Sequence, residues 1–312
     1  MSIVFMGSPE WAIPSLKAVI ESGIEVSSVF TQPDSRIGRK SGLTYSPVKQ
    51  FALEQNLIVH SPENARSLDT IELVNSMSPE LILVCAYGQI LTQNFLDIPN
   101  IGCFNIHFSF LPSLRGASPV QTAITLGLKK TGVSIQKIVL RLDAGPIAVF
   151  SEEVEILQND TTPILGSRLS EIGGTLIRQN LKNILKGNFN LSEQNESKAT
   201  YCGIIKKGDG HVNWNEETAQ EIERKLRAFT PWPGIFSFYR INSKSKHSHR
   251  IQFTNAEIVE GNFVSGKIYP NMIIGAHTDG LKILSLKPEG KKEMDAQSFL
   301  NGNAGILGSV LE

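Results

Sequence analysis

The sequence predicts a doubly wound α/β domain with a parallel sheet, followed by a small β-barrel. Three observations carry this. Short apolar runs alternate with helix-period segments through the first half of the chain, the pattern of strands joined by crossover helices. One run, Leu81 to Ala86, is apolar at every position, as in a strand buried on both faces. Beyond residue 230, short strand-like runs are separated by glycine, asparagine and proline, the texture of a small barrel.

The elements follow in order. Ile3 to Met6 reads as the first strand and opens onto Gly7-Ser8-Pro9. Ser8 is placed to cap a helix and Pro9 to begin it. Glu10 to Ser22 then carries Trp11, Ile13, Leu16, Val19 and Ile20 near helical spacing, and Gly23 stops it. Gly7-Ser8-Pro9 is not a dinucleotide fingerprint, because G-x-G-x-x-G is absent. Val26 to Thr31 is the second strand, a short helix ends near Gln55, and Leu57 to His60 is the third extended run. Cys103 to His107 and Val133 to Leu140 are further strands, and a long helix spans Pro163 to about Lys186. The polar stretch Gly187 to Thr200 reads as a linker. A helix over Glu217 to Phe229 precedes runs at Phe236–Ile241, Arg250–Val259, Met272–Ala276 and Gly280–Leu286. The expected domains are 1–187, a linker at 188–206, and 207–312.

Composition narrows the function classes. The 312 residues hold 30 lysines and arginines against 30 acidic residues, so global charge gives no reason to expect a polyanionic partner. Only a local basic patch would serve. Three widely spaced cysteines, Cys85, Cys103 and Cys202, form no C-x-x-C pair, which argues against a disulfide framework or zinc site and fits a reducing cytoplasm. No apolar run approaches the roughly 20 residues of a membrane helix, and the N-terminus lacks the basic start of a signal peptide.

The chemistry concentrates in Asn105-Ile106-His107. Residues i and i+2 of a strand share a face, so an amide donor and an imidazole project together. Acyl transfer needs that pair, one group for a developing oxyanion and one for a proton. Leu111-Pro112 and Arg115-Gly116 form a sharp loop after the strand, and Leu142-Asp143-Ala144-Gly145 offers a carboxylate to orient the imidazole. The three segments are expected to converge at the carboxyl edge of the sheet, where doubly wound folds bind ligands.

Asn-x-His, Leu-Pro-x-x-Arg-Gly and Leu-Asp-x-Gly together resemble the signature of the formyltransferase superfamily that uses 10-formyltetrahydrofolate. The resemblance covers nearly the whole chain. Further matching runs are Phe30-Thr31-Gln32-Pro33-Asp34, Gly38-Arg39, Ser46-Pro47-Val48-Lys49, Ala86 to Leu91, Ala199-Thr200-Tyr201, Arg227 to Pro233, and Pro288-x-Gly290-Lys291-Lys292. The C-terminal matches point to the branch whose acceptor is initiator methionyl-tRNA. The resemblance implies a Rossmann-like first domain and an OB-like barrel, with Asn105, His107 and Asp143 as the catalytic set. It implies a folate co-substrate held along Ala86, Tyr87, Gly88, Gln89, Ile90, Ser109, Leu111 and Pro112, and no metal.

Basic residues are expected to meet tRNA: Arg36, Arg39, Lys40, Lys206, Lys207, Arg240, Lys244, Lys246 and Arg250. A cytoplasmic monomer is expected. The chain departs from the family pattern at Phe108, where a small residue is usual, at Ser113-Leu114 inside the loop, and at Pro146. Two alternatives stay open on the sequence alone: a formyltransferase for a small amine or a hydrolase of formyltetrahydrofolate, and a non-catalytic binding protein on the same fold.

Overall fold

A strand that is apolar on both faces cannot lie at the edge of a sheet without exposing one of them. Ile3 to Met6 are accordingly fully buried at the middle of a seven-stranded sheet. The structure is a computed structural model that describes residues 1–36, 43–240 and 248–312. Its chain forms two compact units: Met1–Pro119, Lys130–Glu155 and Leu165–Cys202 make the first, and Val120–Lys129, Ile156–Ile164 and Gly203–Glu312 the second.

The first unit contains β1 (Ser2–Gly7), α1 (Ile13–Glu21), β2 (Glu25–Phe30), α2 (Pro47–Glu54), β3 (Val59–His60), α3 (Leu68–Ser76), β4 (Leu81–Cys85), β5 (Gly102–His107), β6 (Ser134–Lys137), β7 (Ile147–Phe150) and most of α4 (Thr162–Leu185). The sheet order is β7-β6-β5-β4-β1-β2-β3. Five strands, β3 through β5 in that order, are parallel, as the alternating pattern predicts. Val4, Met6, Phe30, Ile82 and Val84 bury one face of this sheet together with Val74, and Ile71 of α3 packs against them. Each such side chain contributes about 1.5–3 kcal/mol of burial.

Two expectations change, and a third segment gains partners. The two strands at the β7 edge are antiparallel, β6 to β5 and β7 to β6, where a wholly parallel sheet is expected from the sequence. The connection 138–146 between β6 and β7 is short, and only antiparallel neighbours accept a short return. Ser8 does not cap the first helix. That helix opens with a 3₁₀ turn over Glu10–Ala12 with Pro9 at its cap, and the Ser8 hydroxyl instead accepts the N–H of Gln32 at 2.9 Å. The segment with the texture of a linker is also ordered by the first unit. Ser192 exchanges two backbone hydrogen bonds with Ile147, both 2.9 Å, and Tyr201–Cys202 pairs in parallel with Arg115–Gly116.

The second unit holds α5 (Ala219–Ala228), β8 (Ile235–Tyr239), β9 (His249–Val259), β10 (Ile268–Tyr269), β11 (Ile273–Gly275), β12 (Gly280–Pro288), β13 (Met294–Asp295) and α6 (Ala296–Gly302). Thr218 and Glu221 cap α5 reciprocally, satisfying two of its free N–H groups. The strands form an antiparallel sheet in the order β8-β9-β12-β11-β10, with β13 on β12, the small barrel that the glycine-punctuated runs predict. Trp214 is a core anchor there. It is buried, donates its indole N–H to Ser237 Oγ at 2.8 Å, and meets Phe253 edge-on. Among the described residues no helix is long and apolar enough to cross a membrane.

Burial pushes the Cys85 and Cys103 thiols up to about 12. At about pH 8 the reactive thiolate is then on the order of one molecule in 10⁴. Iodoacetamide is expected to leave both unmodified in the folded protein and to alkylate both in urea. Native labelling at the rate of a free thiol would contradict this packing.

Candidate active site

Antiparallel pairing of β6 with β5 decides what faces Asn105 and His107. Gln136 lies opposite Asn105 and Ser134 opposite His107, and directly paired residues project to the same side. Four polar side chains therefore share one patch of the sheet. Ser134 fixes the loop that follows β5. It donates to Ser109 O at 2.6 Å and accepts the N–H of Leu111 at 3.1 Å.

Asp143 enters this patch from the connection between β6 and β7, in a left-handed conformation with φ of 46°. The turn doubles back so closely that a Cβ on Gly145 would lie 1.7 Å from Lys137 O, so only glycine fits there. The carboxylate meets donors on every side. Oδ1 accepts from Gln136 Nε2 at 2.8 Å and from Asn105 Nδ2 at 3.4 Å, and Oδ2 accepts from Gly116 N–H at 2.9 Å. His107 Nδ1 lies 3.8 Å from Oδ2, a charge contact longer than a hydrogen bond. The other ring nitrogen, Nε2, is 2.9 Å from Leu114 O. A carbonyl only accepts, so Nε2 carries its proton in that contact. His107 is buried and Asn105 is half-buried, which leaves the amide as the more open of the two groups.

The loop between them is fastened from below. The Leu111–Pro112 peptide is cis, and Leu114 has φ of 59°. Gly116, at φ of 122°, would place a Cβ 2.0 Å from Cys202 O, so the close approach of Tyr201–Cys202 requires a glycine. Arg115 is 0% exposed and fully engaged. Its Nη1 and Nη2 donate to Glu196 at 3.1 and 2.8 Å, and its Nε and Nη2 to Gln194 Oε1 at 3.0 and 2.8 Å. Arg141 also donates to Glu196, at 2.6 Å. The Arg115 hydrogen bond holds the Glu196 carboxyl below the usual carboxylate range. A group lowered in this way stabilises the fold above its unfolded value and loses that contribution as pH falls through its folded one. Hydrogen bonds from Arg141 and Arg115 likewise lower the Tyr201 phenol.

The structure thus brings Asn105, His107 and Asp143 together near the carboxyl end of β5, with Asp143 arriving from the connection between the antiparallel β6 and β7. Phe108, the bulky departure after the histidine, leaves the site. It is buried, with its ring 6.2 Å from Trp11 in an edge-on contact. Sequence reasoning missed Gln136 and Gln194. For Gln136 a signal existed, since Ser134 and Gln136 are polar at alternate positions of an apolar strand and so share a face. Gln194, in a polar stretch without periodicity, gave none.

The loop expected to hold a co-substrate leaves β4 next to this patch, because Val84 pairs with Asn105. Ala86, at φ of 48°, and Gly88, at φ of 85°, turn it, and both are exposed with Ile90. Tyr87 is buried, and Gln89 ties the loop inward through Ala65 N at 2.6 Å and Pro62 O at 3.1 Å. Ser109 and Leu111 are buried and Pro112 half-buried, and the Ser109 hydroxyl donates to Ser113 O at 2.6 Å.

Of the basic positions, Arg39, Lys40, Lys244 and Lys246 lie outside the described residues. Arg36 is placed only through its backbone pairing with Leu43. In the second unit Lys206 and Lys207 are exposed, Arg240 pairs with Glu312 at 2.8 Å, and the Arg250 guanidinium lies 4.1 Å over the Phe236 ring.

An amide and an imidazole on one strand face, with a multiply held carboxylate beside them, are groups of the kind that acyl transfer uses. The chain belongs to the formyl transferase family: residues 1–181 match its formyl transferase domain and residues 204–304 its C-terminal domain. A protein named methionyl-tRNA formyltransferase from Koribacter versatilis is 38% identical over 305 residues, 97% of this chain and 96% of that protein. Another of the same name from Bacillus subtilis is 37% identical over 311 residues, 99% of this chain and 97% of its own. In fold, the chain is similar to the sugar 3N-formyl transferase WlaRD, with a TM-score of 0.63 at 20% identity, covering 94% of this chain and 99% of that one.

Replacing Gly145 by alanine is expected to push the Asp143 turn away from Lys137 and to destabilise the first unit by about 1–3 kcal/mol. A urea unfolding curve that superimposes on wild type would contradict the tight turn.

Proposed function

We propose that this chain transfers the formyl group of 10-formyltetrahydrofolate to the α-amine of methionine esterified to initiator tRNA. The observation that carries the reading is near-full-length identity of 37–38% to proteins named methionyl-tRNA formyltransferase. The Asn105–His107–Asp143 geometry supplies the chemistry.

In this mechanism the methionyl amine attacks the formyl carbon, forming a C–N bond and a tetrahedral oxyanion. One N–H of Asn105 is directed at Asp143 and the other is left for that oxyanion, a donor whose removal typically costs about 3–4 kcal/mol. The attacking nitrogen loses a proton to the unprotonated Nδ1 of His107, directly or through a water held between His107 and Asp143. Such base catalysis is worth roughly 10²–10⁴ in rate. Collapse of the intermediate breaks the bond to the folate nitrogen N10, which takes up a proton as it leaves. Asp143 balances the positive charge on the imidazole meanwhile.

The folate lies along Ala86–Ile90 in this reading, its ring system against exposed main chain and the Ile90 side chain. The WlaRD crystal structure was determined in the presence of 5-N-formyl-THF, which supports a folate ligand for the shared fold. Residues 1–187 serve as the catalytic domain, 188–206 as the join, and 207–312 as the tRNA-binding domain. Exposed Lys206 and Lys207 offer phosphate contacts, and Arg36, Arg39, Lys40, Lys244, Lys246, Arg240 and Arg250 are assigned to the same partner. The reading carries with it a cytoplasmic, monomeric enzyme that needs no metal.

Steady-state transfer of labelled formyl to methionyl-tRNA tests the assignment. Asn105→Ala, His107→Ala and Asp143→Ala are each expected to lower kcat by roughly 10²-fold or more. Near-wild-type rates in all three would overturn the roles, and label on free methionine in place of methionyl-tRNA would overturn the acceptor.

A further inference from the structure

Asp143 is held at two places, its carboxylate and the backbone of its turn. The carboxylate is gripped by Gln136, Asn105 and Gly116. The backbone of its turn is gripped by Gln194, whose Nε2 donates to Asp143 O at 2.8 Å and to Gly145 O at 2.6 Å. The same nitrogen lies 3.3 Å from Gln136 Oε1. An amide has two hydrogens, so the two short contacts use both and the third is a weaker share.

The orientation of the Gln194 amide is set, because a flipped amide would turn its NH₂ toward Arg115, which has only donors. Oε1 must therefore face Arg115, and it does so at 2.8 and 3.0 Å. Arg115 is itself fixed by two hydrogen bonds from its guanidinium to Glu196. With Oε1 committed, Nε2 has to face the turn carbonyls. Gln136 is then oriented in turn: its Oε1 faces the Gln194 NH₂, and its Nε2 faces Asp143. One chain of directional bonds runs Glu196, Arg115, Gln194, Gln136 and Asp143, every donor meeting an acceptor.

We infer that Gln194 is a positioning residue for the reaction, setting where the Asp143 carboxylate stands beside His107 and Asn105 without touching substrate. The inference rests on the catalytic reading of Asp143 given above. It also assigns a task to the polar stretch before Tyr201: residues 194–196 lock the turn that carries the carboxylate. The left-handed backbone at Asp143 is uncommon outside glycine, and external donors to the carbonyls on either side of Ala144 hold it there.

Two substitutions separate positioning from mere bracing of Arg115. Gln194→Glu keeps the size and retains an acceptor for Arg115, but sets a carboxylate oxygen against Asp143 O, Gly145 O and Gln136 Oε1. Gln194→Met keeps the length and removes both the donor and the acceptor. If Gln194 only braces Arg115, Gln194→Met is the more damaging change. If it positions Asp143, Gln194→Glu is.

The expected result is a kcat for methionyl-tRNA formylation lowered about 10–10²-fold in Gln194→Glu, since misplacement by about 1 Å can cost that much. KM for both substrates should stay within about threefold, and Gln194→Met should lie between wild type and Gln194→Glu. The opposite order, or kcat unchanged in Gln194→Glu, overturns the inference. Crystal structures of both variants give a readout independent of activity. The Asp143 carbonyl is expected to leave its present position while Arg115 stays paired with Glu196. An unmoved turn in whichever variant folds overturns the inference as well. A wild-type enzyme that fails to formylate methionyl-tRNA would overturn the functional reading, while the structural comparison would still decide whether Gln194 holds the turn.

Discussion

The Asp143 carboxylate is the constraint on which the rest of this site depends. It is an anion placed where three donors already point, Gln136 Nε2, Asn105 Nδ2 and the Gly116 N–H, with the His107 ring alongside. Without it these groups would face one another as mutually unsatisfied donors in a buried patch, a cost of about 1–3 kcal/mol for each. With it, one residue fixes the rotamer of the amide, the direction of the glutamine and the height of the Arg115-Gly116 loop. Charge, hydrogen bonding and backbone shape are therefore coupled, and the loop and the strand face cannot move independently.

That coupling explains features that look unrelated along the chain. Gly145 and Gly116 are glycines because the turn and the loop must press against other backbone, Lys137 O in one case and Cys202 O in the other. Arg115 can be wholly buried because Glu196, Gln194 and Tyr201 neutralise or accept from it. The antiparallel edge of the sheet matters for the same reason. It puts Gln136 opposite Asn105, and its short return loop delivers Asp143 to the carboxyl end of β5, beside Asn105 and His107.

Much of this is legible in the sequence, and the parts that are not have physical causes. Runs such as Ile3 to Met6 and Leu81 to Cys85 announce buried strands because burial on two faces leaves no place for a polar residue. Asn105 and His107 announce a shared face through the period of a strand. Asp143 is legible through its Leu-Asp-x-Gly context and not through any local pattern. Strand direction is not legible, because an apolar run such as Val133 to Ile135 has the same composition whichever way it lies. Ser8 misleads because a good capping residue meets a stronger tertiary demand, the free N–H of Gln32. Gln194 is invisible for a deeper reason: its partners Asp143 and Gly145 are remote in sequence, and hydrogen bonds across that distance impose no period on either segment.

The most direct measurement is formyl transfer by Asp143→Asn, a change that keeps shape and removes charge. Every hydrogen-bonding partner of this carboxylate is a donor, so whichever way the asparagine amide turns, its NH₂ must confront another donor, Gln136 and Asn105 on one side or Gly116 on the other. The account predicts a kcat for methionyl-tRNA formylation lowered by about 10²-fold or more, with the far-ultraviolet circular dichroism of wild type. Transfer within about threefold of wild type by a folded Asp143→Asn enzyme would contradict the claim that this anion organises the site.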